Sequence, residues 1–256
     1  MTGCRGVPAF NPIPAVAALE PRSKTGLAAN DPIAAIRRDC HSATMDMAAV
    51  TRLGEAQAAL YRSFKLPVPE VIEGCPCCIS TRGGDVLLTT PLREITGQQL
   101  WRYVSGAFLT VGNVRDFRYL LPRILEVSVT DPANANDPEI VIGKLALAEW
   151  RSWSDHEQQA IESFLDAWFD LAILRDMQNA APGPIGWEAE SVLCGAARAG
   201  VPLDGWLNRL EAASAVPVLN DLKARFPNEL SGFWEGAPAG LAQLSAFLHT
   251  QQTDGS

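Results

Sequence analysis

Two runs of apolar positions between residues 90 and 127 carry the clearest periodicity in the chain, and the rest of the pattern is read outward from them. In the first run Leu100, Tyr103, Val104, Ala107, Phe108 and Val111 recur at the three-and-four spacing of one helical face. Thr96 with Gln99 forms a capping box ahead of this face, and Gly112 closes it. The second run starts at Asn113 and sets Phe117, Leu120, Leu121, Ile124 and Leu125 on one face. Pro122 is expected to kink or break that helix, because proline removes an amide donor and crowds the preceding turn. The pair reads as a helical hairpin.

Upstream, Met47, Val50, Leu53, Ala56, Leu60 and Phe64 follow helical spacing behind an Asp46 cap, and Pro67 and Pro69 end the helix. Residues 86–89 could form one short strand, for which no pairing partner is evident. Downstream, Asp137 precedes Pro138 at a first helical position, and Ser154 with Glu157 caps a long helix from Asp155 to about Asp176. That helix turns Ile161, Phe164, Leu165, Trp168 and Ala172 inward. After the Pro-Gly-Pro break at 182–184, shorter helices are marked by Val192 with Leu193, by Leu203, Trp206, Leu207 and Leu210, by Leu219 and Leu222, and by Leu241, Leu244 and Leu248.

Predicted starts near 97, 138 and 186, and near 113, 155 and 202, give steps of about 41 to 48 residues, as expected for stacked two-helix repeats of about 40 to 47 residues. The expected fold is therefore all-α. Stacked antiparallel helical hairpins (an α-solenoid or HEAT-like stack) are the first choice, and a globular helical bundle is the second. Three stretches are expected. Residues 1–44, rich in proline, alanine and glycine without sustained periodicity, read as a disordered or non-native leader, with a short helix over 32–40 as the alternative. Residues 45–250 form the helical domain, and 251–256 a disordered tail.

Composition narrows the function. A net charge of -8 and a pI near 4.9 disfavour general nucleic-acid binding, which rests on clustered Lys and Arg. No apolar run reaches membrane-spanning length and no secretory signal is evident, so the expected setting is the cytoplasm, away from membranes. The charge is uneven. Residues 93–123 carry an excess of basic groups, whereas 126–190 hold 13 acidic against 3 basic residues. On the long helix Asp155, Glu162, Asp166 and Asp170 fall within about 80° of one another at about 100° per residue. Glu162, Asp166 and Asp170 are i,i+4 neighbours without a cation among them, a disfavoured arrangement. Either arginines of the neighbouring hairpin neutralise the row, or it is a recognition face for a basic protein partner. A merely solvated surface is the third reading.

Cys75, Cys77 and Cys78 supply the most suggestive chemistry. Together they offer at most three zinc ligands, so Cys194, Cys40, His41 or His156 would have to complete a site. A thiol-redox role requires the C-x-x-C motif at a helix start after a strand, and that context is missing. Small buried thiols in a turn are the third possibility. His156-Glu157 has Ala160 where a zinc protease would need a second histidine, and neither a G-x-x-x-x-G-K-[ST] loop nor a G-x-S-x-G elbow occurs.

The segments VIEGCPCC, LREITGQQLWRYVSGAFLTVG, DFRYLLPRILE and the Trp-Arg-Ser-Trp-Ser-Asp-His-Glu run into AIESFLDAWF together resemble a bacterial family of helical proteins. The resemblance spans roughly residues 47–250. It implies a helical fold and a bacterial setting, and it transfers no catalytic role. The expected function is a non-catalytic protein-interaction module, such as an immunity or adaptor protein that turns an acidic helical face to a basic partner. The alternative is a zinc-binding or thiol-redox protein centred on Cys75, Cys77 and Cys78.

Overall fold

A computed structural model describes residues 32–75, 84–178 and 187–253, with side chains described from residue 47 to residue 250 within those ranges. The chain divides into two compact units, Met1–Cys40 and His41–Ser256. Of the first unit only the helical residues 32–40 are described. The leader expected over 1–44 therefore lies largely outside the described residues, and so does the end of the tail.

The fold is all-α. Its helices are α1 (Pro32–Ser63), α2 (Gly84–Thr89), α3 (Gly97–Gly106), α4 (Val114–Thr130), α5 (Pro138–Leu147), α6 (Asp155–Gln178), α7 (Trp187–Arg198), α8 (Asp204–Leu210), α9 (Val216–Arg225) and α10 (Pro238–Thr253). Among the described residues the only extended pairing is two isolated bridges, Gly74 with Val111 and Ala107 with Val111. None of these helices is long and apolar enough to cross a membrane.

Several sequence-level expectations change. Helix α1 begins at Pro32, so Asp46 lies inside it and does not cap it. Its buried stripe runs through Ala49, Leu53, Ala56, Leu60 and Phe64, while Met47 and Val50 are exposed. At about 100° per residue Met47 stands about 120° from Leu53, outside any stripe that Leu60 and Phe64 share. Residues 86–89 are helical, as part of α2. A lone strand would leave its backbone groups without partners, whereas here the Thr90 amide donates to the Val86 carbonyl at 3.0 Å. Helix α3 stops at Gly106, short of the predicted Val111. Residues 107–111 form a tight turn in which Phe108 takes a left-handed φ of 61°.

The hairpin itself stands. Thr96 and Gln99 exchange both capping-box bonds, and Asn113 and Asp116 do the same at the head of α4. Gly112 joins the two at φ 76°, and a Cβ there would lie 2.8 Å from both Tyr103 Oη and Asp116 Oδ2. Helix α4 then runs unbroken through Pro122. Phe117, Leu120, Leu121, Ile124 and Leu125 are buried, with Val127 and Val129 on further sides, so the helix is enclosed nearly all round. Burial on that scale, at about 1.5–3 kcal/mol for each large apolar side chain, outweighs a proline cost of about 3 kcal/mol.

Helices α3, α5 and α7 pack in succession, and α7 also meets α6 and α10. Gly195 makes the α5–α7 crossing possible, because a Cβ there would come within 2.9 Å of the Pro138 carbonyl and 3.0 Å of the Ile142 side chain. Trp150, just after α5, donates its indole N–H to the Ala199 carbonyl at the end of α7, at 2.9 Å. All five inward residues expected on α6 are fully buried.

Leu121 is fully buried and Arg115 is exposed on the same helix. Leu121→Ala is therefore expected to lower unfolding stability by about 2–5 kcal/mol, and Arg115→Ala by less than about 0.5 kcal/mol. Urea denaturation of the two variants measures the difference, and equal losses would reject the assigned core face.

Candidate functional site

The acidic residues expected to share a face of α6 do lie along it, and each has distinct surroundings. Asp155 is exposed in the first turn. Glu162 pairs with Arg151, which lies in the short 3-10 turn before α6, and the two side chains are 40% and 41% exposed. Asp166 pairs with Arg209 of α8 and accepts the indole N–H of Trp206 at 3.1 Å. Asp170 accepts from the same Arg209 at 3.0 Å and from Arg52 of α1 at 2.7 Å. The Arg209 guanidinium also lies 6.0 Å from the Phe169 ring.

The cations come from three separate elements. None belongs to the basic hairpin whose charge excess stood out in the sequence. That hairpin's arginines have other tasks: Arg118 pairs with Glu157, Arg123 with Glu126, and Arg93 stacks on Tyr61 at 3.6 Å. The row therefore has two ends. Asp166 and Asp170 are tied into the fold by Arg209 and Arg52. Asp155 and Glu162 face outward, Glu162 with a solvent-exposed arginine of the kind that contributes about 0–1 kcal/mol.

Between α6 and α8 runs a groove of about 280 Å³, with half-buried Val201 and the edge of Trp206 forming its wall over the fully buried Leu165, and Glu162, Asp166, Gln159 and Ser163 at its rim. The Trp206 ring is fixed by stacking on Phe169 at 4.8 Å and 12°. An apolar wall beside carboxylates suits a long basic side chain, whose stem packs while its head is paired.

A larger cleft, about 580 Å³, opens at the N-terminal end of α6 between Leu66, Val114, Trp153, Arg118 and Glu149. Glu157 lies at its edge and is almost completely buried. Burial works to raise its carboxyl, but the Ser154 hydroxyl and Arg118 outweigh burial and hold it below the ordinary glutamate range. Here the predicted capping box is partly inverted: Ser154 donates both its amide, at 3.2 Å, and its hydroxyl, at 2.5 Å, to the Glu157 carboxylate. The Ser152 hydroxyl donates to the Glu149 carbonyl at 2.7 Å. Glu149 itself takes a left-handed φ of 52° and is exposed. His156 occupies the first turn of α6, as its place beside the cap implies.

Of the cysteine cluster, Cys75 is half-buried beside a cleft of about 410 Å³ next to Leu109 and Thr110, and its amide donates to the Thr110 carbonyl at 2.8 Å. Cys77 and Cys78 lie outside the described residues, as do the side chains of Cys40 and His41. Cys194 is wholly buried in α7, where burial pushes its thiol up to about 12. Among the described residues no group of three or more His, Cys, Asp or Glu could hold a metal ion.

No protein-family model, curated protein or solved structure matches the chain. The resemblance to a bacterial helical family therefore rests on the quoted sequence segments alone.

The arginine partners were the missing part of the sequence reading. Arg52 and Arg209 are far from the row along the chain and only the helix packing brings them to it, whereas Arg151 stands in the turn just before α6 and is folded back onto Glu162. Arg209→Ala removes the cation that two neighbouring carboxylates share, leaving Asp170 with Arg52 and Asp166 with the Trp206 indole, and by the usual worth of charged hydrogen bonds it should destabilise by about 1–3 kcal/mol. Arg151→Ala should cost less than about 1 kcal/mol. Thermal unfolding of both at low salt tests the order, and an Arg151 variant as unstable as the Arg209 one would contradict it.

Proposed function

We propose that this chain is a non-catalytic protein-interaction module, of the immunity or adaptor kind, that turns the outer face of α6 towards a basic surface on a partner protein. The observation that carries this reading is the groove between α6 and α8, where the half-exposed Glu162 carboxylate stands beside Val201 and the edge of Trp206. A lysine or arginine of a partner would lay its stem on the apolar wall and exchange with Arg151 at Glu162. The exchange is easy because the Arg151–Glu162 pair is half in water. Asp155 extends the negative field towards the N-terminal end of the helix, where it would steer approach more than it adds to affinity.

Stacking of helical hairpins is part of the same proposal. It is supported by the succession α3, α5, α7 and by helix starts at 97, 138 and 187. In such an array the outer helices share one surface, which suits an extended partner.

The test separates recognition from internal pairing. A double variant, Asp155→Asn with Glu162→Gln, should keep stability within about 0.5 kcal/mol, as surface changes usually do. It should also bind a fluorescent Arg/Lys-rich peptide several-fold more weakly than the parent, and raised salt should weaken the parent's binding. Fluorescence polarisation at two salt concentrations measures both. Identical binding by parent and variant would reject the face as a recognition surface.

A further inference from the structure

Glu162 belongs to two surroundings at once. It stands at the rim of the groove between α6 and α8, and it is the carboxylate with which Arg151 pairs. The turn that carries Arg151, Trp150–Ser152, is fixed from two sides. The Trp150 indole donates to the Ala199 carbonyl at 2.9 Å, and the Gln158 side-chain amide donates to the carbonyls of Arg151 at 3.1 Å and Trp153 at 2.8 Å. The backbone of Arg151 is therefore held while its side chain stays 41% exposed. Its guanidinium carbon lies 3.9 Å from the centre of the Trp150 ring, and Nη1 donates to Glu162. Trp150 itself is 1% exposed. A flat cation thus rests on an aromatic face with a carboxylate at its edge, and the chain supplies that cation itself.

We propose that Trp150 and Glu162 form a seat for one arginine side chain of the partner, and that Arg151 fills the seat as an internal stand-in until the partner displaces it. The inference rests on the recognition face proposed above and names the group that this face reads. Both contacts select a guanidinium. Its plane lies flat on a ring while its in-plane N–H groups reach a carboxylate, whereas the lysine ammonium has no plane and holds its water more strongly. A partner arginine that enters along Val201 and the edge of Trp206 comes upon Glu162 from the groove side. There Gln159 and Ser163 offer side-chain oxygens for its remaining N–H groups. Departure of Arg151 requires only side-chain rotation, because its backbone is held separately, and the ion pair it leaves is half in water and weak. The departing cation uncovers a ring face and the arriving one covers it again, so Trp150 stays dry in both states. Lysine gains too little at the seat to drive the same exchange, and the stand-in therefore filters basic surfaces that the negative field attracts alike.

The test uses two fluorescent peptides of equal length and charge, one with arginine as its only cation and one with lysine. Their affinities for the parent, for Arg151→Ala and for Arg151→Ala with Glu162→Gln are measured by fluorescence polarisation. Loss of the Arg151 charge strengthens both peptides alike and cancels in their ratio. On vacating the seat, the arginine peptide should gain about two- to fivefold more than the lysine peptide, and the added Glu162→Gln should abolish that difference. Equal gains for the two peptides, or an arginine advantage that survives Glu162→Gln, would overturn the seat. Should Arg151→Ala not fold, Arg151→Lys keeps the charge, removes the planar group and decides by the same ratio. Equal gains alongside parental binding that Asp155→Asn with Glu162→Gln still weakens would reject the seat and leave the recognition face standing. Failure of the parent and all variants to bind either peptide would reject both.

Discussion

Helix α7 can lie against α5 only because position 195 carries no side chain. With the Pro138 carbonyl and the Ile142 side chain about 3 Å from where a Cβ would stand, even alanine would force the two helices apart. Much of the fold depends on that approach. It lets Trp150 reach the Ala199 carbonyl, and α7 so placed packs in turn on α6. The acidic face of α6 is thus positioned in part by a contact that its neighbour α7 makes with α5.

Electrostatics then divides that face. Arg209 serves Asp166 and Asp170 together and is in turn held beside Phe169, so the C-terminal half of the row acts as a tie between α6 and α8. Arg52 adds α1 to the same point. Burial of Arg209 alone would lower its pKa, but the hydrogen bonds to the two aspartates prevail and raise it, as expected where attraction exceeds desolvation. The N-terminal half has only the exposed Arg151, and that contrast makes one end of the helix structural and leaves the other open to a partner.

Much of the fold was legible in the sequence. Thr96 with Gln99, Asn113 at the head of α4 and the long helix from Asp155 were readable because capping and 3.6-residue periodicity are local properties. The errors arose where tertiary packing overrode local rules. Pro122 does not end α4 because that helix is enclosed on nearly all sides. Met47 and Val50 fit a helical spacing but not the phase that Leu60 and Phe64 impose. The four acidic positions of the candidate face were likewise readable as angles on one helix. Their partners Arg52 and Arg209 were not, because no local pattern links residues that only the packing of α1, α6 and α8 brings together; Arg151, in the turn before α6, was close in sequence but not in helical register with Glu162. The groove wall at Trp206 and Val201 was hidden for the same reason.

Cys194 lies fully buried on α7, the helix that makes the close α5 crossing, with a thiol pushed up to about 12. In that state it is inert at neutral pH, since the thiolate is the reacting species. An alkylating reagent gains access to it only when α7 lifts away from its neighbours, so the rate of labelling at this sulfur times the breathing of the central packing. The chain carries a chemical clock within its own buried packing.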